Sequence, residues 1–135
     1  MPKASKAERE LILNKYGQRC AYCGRELVLK TMQVDHLKPI MRKSIYQNGK
    51  SVKADGCYFP EHDTLENKMP SCRLCNYHKH TFSLEEFINE IQKKVERIKS
   101  SNIKLLEQYG LINFNQCDTV EFYFEKYMRT MVWDK

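Results

Sequence analysis

Two cysteine pairs, Cys20-x2-Cys23 and Cys72-x2-Cys75, constrain this chain more than any other feature. Four thiolates around one tetrahedral Zn²⁺ form a structural site that is closed to substrate. The 48 residues between the pairs exceed the separation found in short zinc ribbons. An ion there must therefore clip an N-terminal segment onto a helix that lies far downstream. The competing reading, four unrelated thiols, requires the matched spacing to be a coincidence. A redox role would need one CxxC in a thioredoxin-like βαβ setting, which the pattern lacks. Cys57 and Cys117 have no paired spacing and stand outside the set, while His62 is a candidate substitute ligand.

At 135 residues the chain is about one domain long, enough to bury a core. Apolar residues make up 41% and charged residues 30%, as in soluble globular proteins. No apolar run approaches the ~20 residues of a transmembrane helix, and the charged N-terminus lacks a signal-peptide core. Membrane spanning and secretion are not expected, so the cysteines are read in a reducing cytoplasm. The net charge of +6 is uneven. Residues 1–53 carry 12 Lys/Arg against 4 Asp/Glu, whereas 54–99 and 100–135 each carry −1. Such a bias suits a surface that faces phosphates, and it also suits an ordinary solubilising surface.

Local patterns place the elements. Ser5 and Glu8 form a capping box for a helix over residues 6–16, with Gly17 as its stop. Strands are expected over 26–29 and 31–37, with Pro39 ending the second. Asn48-Gly49 predicts a two-residue hairpin turn inside a basic insertion spanning 41–63. A short strand over 65–69 and a helix over 72–80 come next. Ser83 and Glu86 cap a longer helix, whose stripe of Leu84, Phe87, Ile88, Ile91, Val95 and Ile98 reads as core. A helix over 102–109 ends at Gly110. The alternation around Val120, Phe122 and Phe124 predicts a hairpin pairing 111–114 with 119–125, although a helical period also fits.

Three fragments lie between or beside the cysteine pairs: Val34-Asp35-His36-Leu37-Lys38-Pro39, Asp63-x3-Asn67, and Cys75-Asn76-Tyr77-His78-Lys79-His80. Together and in this order they resemble the HNH endonuclease family, with its ββα-metal motif. The resemblance covers residues 20–80, which is 61 of 135. It implies an α+β fold: a small zinc-stabilised domain with a ββα-metal core, an N-terminal helix and a helical C-terminal extension. The nuclease domain would occupy 1–99, and 100–135 would pack on it as an extension.

Phosphodiester hydrolysis needs an activated water and charge neutralisation at the phosphate. His36 suits the general base, because imidazole titrates near neutral pH. Asp35 would point to the opposite side of an extended segment, where a carboxylate can hold a hard divalent cation such as Mg²⁺. The resemblance implies that Asn76 adds an oxygen ligand, that Asn67 orients His36 and that Lys79 lies near the phosphate. It also implies a metal-ligand role for His80, four residues after Asn76, because colicin-type members carry a ligand His there. Nitrogen ligation would favour Mn²⁺ or Ni²⁺. His78, two residues from Asn76, diverges from it on a helix. Lys38, Arg42, Lys43, Lys50 and Lys53 are candidate DNA-phosphate contacts, and Tyr46 on the hairpin is expected to pack.

The expected function is thus a cytoplasmic, metal-dependent DNA endonuclease acting on duplex DNA, as a monomer or homodimer. Its setting would be bacterial or phage-encoded. The alternative from another class is a catalytically silent, zinc-stabilised DNA-binding module. A binding module has no need of the combination Asp35, His36, Asn67 and Asn76.

Overall fold

The computed structural model describes residues 4–99, 103–113 and 120–133. Among them the protein is a small mixed α+β unit with a four-cysteine cluster. Helix α1 (Lys6–Leu13) starts where expected, with the Ser5 hydroxyl accepting from the Glu8 amide at 3.2 Å. A short 3-10 turn extends it to Tyr16, and Gly17 closes it in the left-handed region at φ 67°. That conformation carries little penalty only without a Cβ.

Strand β1 (Gln33–His36) pairs antiparallel with β4 (Lys68–Ser71), Val34 opposite Pro70 and Asp35 opposite Met69. Pro70 sits inside the strand, not after it as expected. A two-stranded sheet has only edges, so the missing amide breaks no central ladder, and the Pro70 carbonyl accepts from the Ala21 amide at 2.8 Å. Helix α2 (Arg73–Lys79) follows β4 at once and packs on β1. The strand expected over 26–29 reduces to one bridge, Arg19 with Glu26. Residues 28–31 instead make a turn in which the Thr31 hydroxyl bonds both backbone groups of Val28.

Strands β2 (Arg42–Gln47) and β3 (Lys50–Cys57) form the predicted hairpin around Asn48-Gly49, with φ 51° and 74° at the two turn residues. Both values match a type I′ turn. Tyr46 does not pack; it is 81% exposed.

The core gathers Ile12, Leu13, Tyr22, Leu27, Met32, Met69, Phe87, Phe122 and Phe124 beside the buried Cys20 and Cys72. Helix α3 (Leu84–Lys99) contributes Phe87, with Ile88 and Ile91 partly buried; its later Val95 and Ile98 are exposed, so only half of the expected stripe is core. Helix α4 (Ile103–Gln108) follows.

The C-terminal hairpin is not formed. Residues 123–133 are helix α5 (Tyr123–Trp133), and residues 114–119 of the expected pairing, with Cys117, lie outside the described residues. Phe122 and Phe124 alternate because they bracket a helix start, not because they face one side of a sheet. Phe122 stacks on Phe87 at 5.4 Å between ring centroids and meets Tyr22 edge-on at 5.5 Å. The amides of Tyr123 and Phe124 donate to the carbonyls of Tyr22 and Ala21 at 3.1 and 2.7 Å. The extension is therefore tied directly to the first cysteine knuckle. Among the described residues no helix is long and apolar enough to cross a membrane.

Candidate metal centre and adjoining polar cleft

The first cysteine knuckle is a backbone device. The Cys20 amide donates to the Arg25 carbonyl at 2.7 Å, and the Gly24 amide returns to the Cys20 carbonyl at 3.0 Å. Gly24 lies at φ 79°, and a Cβ there would meet the Tyr123 ring at 3.0 Å, so both conformation and space demand glycine. Cys72 caps α2, its sulfur accepting from the Cys75 amide at 3.4 Å.

The four sulfurs lie within 4.8 Å of one another. Cys23 and Cys72 approach to 3.8 Å. A tetrahedron with ~2.3 Å metal–sulfur bonds has edges of ~3.8 Å. The group can therefore hold a metal ion. The thiols perturb one another strongly: a hydrogen bond from Cys75 lowers Cys20 to about 4, the same contact drives Cys75 far upward, and burial raises Cys23 to about 11. Four thiolates crowded together repel, and a bound cation is what lets all of them ionise.

Beside this centre, β1, α2 and the segment after β1 enclose a cleft of about 340 Å³. Its lining includes Asp35, His36, Asn76 and His80, so four sequence-predicted residues meet in one place. They arrive by different routes. Asp35 and His36 alternate at the end of β1, and Asn76 projects from α2. His80 was expected on the helix face of Asn76. Instead it has left the helix, at φ 50° and ψ −127°, with its amide still bonded to the Asn76 carbonyl at 3.0 Å.

His36 is held by a residue to which the motif reading gave no role of its own. Its Nε2 lies 2.8 Å from Asp63 Oδ1. The hydrogen bond from His36 and then Lys68, 3.6 Å away, keep the Asp63 carboxyl below the usual range. An ionised carboxylate only accepts, so Nε2 carries the proton and Nδ1 keeps its lone pair. Lys68 also pairs with Glu8 of α1. Asn67 does not touch the imidazole. It clamps the chain just beyond it: the Lys38 amide donates to Asn67 Oδ1 at 2.9 Å, and Asn67 Nδ2 donates to the Lys38 and His62 carbonyls at 2.8 and 2.7 Å. Asn67 thus positions His36 through the backbone.

Lys79 departs furthest from expectation. It is 0% exposed, its ammonium 3.1 Å from Asp35 Oδ2 and donating to the His36 carbonyl at 2.9 Å. It therefore does not reach a phosphate in solution. The Tyr22 hydroxyl donates to the same Asp35 oxygen at 2.5 Å, and burial, with the Asp35 charge, pushes that phenol far above its ordinary range. Tyr22, Gln33, Asp63 and Lys68 are the polar participants that motif reading missed. Only the Asp63-x3-Asn67 spacing hinted at any of them.

The remaining donor atoms fit a divalent ion. Asp35 commits Oδ2 to Tyr22 and Lys79, which leaves Oδ1. Asn76 Nδ2 donates to Gln33 Oε1 at 2.6 Å, which leaves its amide oxygen uncommitted. With His80 these atoms border one cleft rather than one point; among the described residues only the four cysteines crowd their ligand atoms within 4.8 Å. Lys38, Arg42, Lys43, Lys50 and Lys53 are all exposed. Arg42 lines this cleft and also a larger one of about 650 Å³ on the other side of His36, shared with Arg9 and Lys68.

Comparison with protein-family models, curated proteins and solved structures found no match.

Proposed function

We propose that this chain is an HNH-type endonuclease that hydrolyses duplex DNA in a divalent-metal-dependent reaction, its ββα core clipped together by Zn²⁺ on Cys20, Cys23, Cys72 and Cys75. The observation that carries the reading is His36. Its Nε2 is tied to Asp63, and the ring borders a cleft that also holds Asp35, Asn76 and His80. An imidazole anchored on one nitrogen by a carboxylate presents a lone pair on the other, as a general base requires. The order strand, strand, helix, with the base ending the first strand, supports the ββα assignment. All-sulfur tetrahedral donors favour Zn²⁺ or an iron–sulfur cluster, and closely matched knuckles around one ion favour zinc.

In this mechanism His36 Nδ1 accepts a proton from a water, whose oxygen attacks phosphorus while the bond to the 3′-oxygen breaks. Asp63 holds the ring at a fixed angle and stabilises the imidazolium that forms. Asn67 keeps the turn after His36 from shifting. Asp35, Asn76 and His80 would hold the catalytic ion, Mg²⁺ or a softer Mn²⁺ or Ni²⁺. When bound, that ion supplies charge neutralisation at the phosphate and the departing oxygen. Lys79 and Tyr22 orient the Asp35 carboxylate from the interior. The left-handed conformation of His80 costs about 1–3 kcal/mol, a kind of strain that concentrates at functional sites.

A second reading has one observation in its favour. The buried Lys79 neutralises Asp35, as a purely structural carboxylate in a binding module would require. Cleavage separates the two. Supercoiled plasmid with Mg²⁺ or Mn²⁺ should be nicked or linearised, with EDTA and His36→Ala each abolishing it while DNA binding persists. A folded, zinc-loaded protein that binds plasmid but never cuts it would leave the binding module.

A further inference from the structure

The β2–β3 ribbon is the part of the molecule that the proposed chemistry leaves unexplained. Every residue of β2 is exposed, as is every residue of β3 except Ala54 and Cys57. The ribbon packs on no other element beyond marginal contact. A lone two-stranded hairpin is marginal in water, yet this one presents Tyr46 at 81%, Ile45 at 47% and Val52 at 41% exposure. Its charge is one-sided: Arg42, Lys43, Lys50 and Lys53 against Asp55. Lysines on open strand edges discourage a further protein strand, and they match a polyanion.

Its root is fixed at the cleft. The amides of Tyr58 and Phe59 donate to the carbonyls of Met41 and Ile40 at 2.9 and 3.0 Å, and Ile40, Met41 and Arg42 line the same cleft as His36. A backbone lying in that cleft therefore passes the foot of the ribbon. The register puts Ser44 opposite Lys53 and Tyr46 opposite Ser51. These four alternate onto one face, and Ile45, Gln47, Lys50 and Val52 onto the other. The first face is rich in groups that bond base edges.

We propose that this ribbon enters the major groove of duplex DNA beside the cleavage site and is the element that reads sequence. This deepens the nuclease reading, on which it rests for the identity of the duplex in the cleft. Two strands ~4.8 Å apart with their side chains fit a groove ~12 Å wide and not one of ~6 Å. Ser44, Tyr46, Ser51 and Lys53 face the bases. Lys43 and Lys50 meet the flanking phosphates. Six β2 residues at ~3.3 Å each carry the tip ~20 Å from the cleft. At ~3.4 Å per base pair the contacted bases lie within about six pairs of the scissile phosphate, on one side of it.

The test measures DNA binding with the full-length zinc-loaded protein carrying His36→Ala, so that cleavage plays no part. Fluorescence anisotropy across a salt series compares this protein with one that also carries Lys43→Gln, Lys50→Gln and Lys53→Gln. The triple change should flatten the slope of log K against log salt by about 2–3 and weaken binding at least tenfold at low salt. Duplex RNA of the same sequence should compete poorly, because its deep, narrow major groove excludes the ribbon. In the protein with an intact His36, Tyr46→Ala should blur one-sided sequence preference in a mapped set of cleavage sites. An unchanged salt slope with retained binding overturns the ribbon interface, and so does equal competition by duplex RNA. Absence of cleavage together with a flattened slope would retain the interface and overturn the nuclease reading instead.

Discussion

Replacing Lys79 by Met tests whether the interior of the site is held by one ion pair. The substitution keeps an unbranched stem of similar volume and removes only the ammonium. Three contacts go with it: the pair with Asp35 at 3.1 Å, the bond to the His36 carbonyl at 2.9 Å, and a cation–π approach to the Tyr22 ring at 5.9 Å. Asp35 is 6% exposed, so its carboxylate would face the interior with only the Tyr22 hydroxyl for support. Breaking a buried pair from one side costs about 3–5 kcal/mol. For a chain of this length that corresponds to a fall in Tm of roughly 10–20 °C. Removing both charges with Asp35→Asn and Lys79→Met should cost at least ~2 kcal/mol less than the sum of the single changes, because no charge is then left stranded. Urea unfolding with zinc present and a constant m-value measures all three proteins. If Lys79→Met fails to fold, the double variant still should. A loss under ~0.5 kcal/mol for Lys79→Met, or strict additivity, would refute the buried-pair argument. The same protein separates the expected phosphate role from the observed one: with the ammonium inside, the salt slope of DNA binding should not change.

Cys72→Ser should release the ion and lower Tm; metal analysis beside calorimetry checks it, and an unchanged Tm would remove the structural role. Thiolates are the ligands, so protons compete with the metal. Zinc retention, followed with a chromogenic chelator, should be complete near neutrality and lost as pH falls. Asp63→Asn should lower kcat by about 10–100-fold with little change in KM, since it alters the ring's anchoring rather than DNA contact; Asp63→Glu should recover part of the rate, and wild-type kcat in Asp63→Asn would free His36 from this partner. Phe122→Ala should cost about 3–5 kcal/mol and expose the C-terminal helix to protease before the core, while simultaneous cleavage throughout would contradict the docking seen at Tyr22 and Phe87.

What was legible in the sequence was whatever depends on short-range rules. The capping box at Ser5, the Asn48-Gly49 turn and the CxxC knuckles each specify backbone geometry within a few residues, and each is present. The partners of polar side chains were not legible, because they are set by which elements meet in space. Asp63 reaches His36 across 27 residues and Lys79 reaches the His36 carbonyl across 43. Nothing local distinguishes a lysine that will be buried from one that will be solvated. Matching the resemblance placed Lys79 near a phosphate, whereas its burial makes it the internal counter-charge of Asp35.

The C-terminal error has a different cause and bears on how the site is built. Val120, Phe122 and Phe124 alternate like a strand, and helix and strand periods coincide over so few residues. Tertiary contact decides between them. Phe122 fills the gap between Phe87 and Tyr22 and is 2% exposed, and the backbone of Tyr22 and Ala21 captures the next two amides. That arrangement makes Tyr22 a junction. Its carbonyl anchors the C-terminal segment, its ring packs in the core, and its hydroxyl orients Asp35. Tyr22 also lies between Cys20 and Cys23, so a metal that fixes the knuckle fixes the Asp35 carboxylate through one side chain. Tyr22→Phe isolates that link, because it keeps the ring and removes only the hydroxyl. It should leave zinc content unchanged and Tm lower by about 1–3 kcal/mol equivalent, while raising the concentration of Mg²⁺ or Mn²⁺ needed for half-maximal cleavage. Unaltered metal dependence in a Tyr22→Phe protein that still holds zinc would show that the two metal sites are built independently.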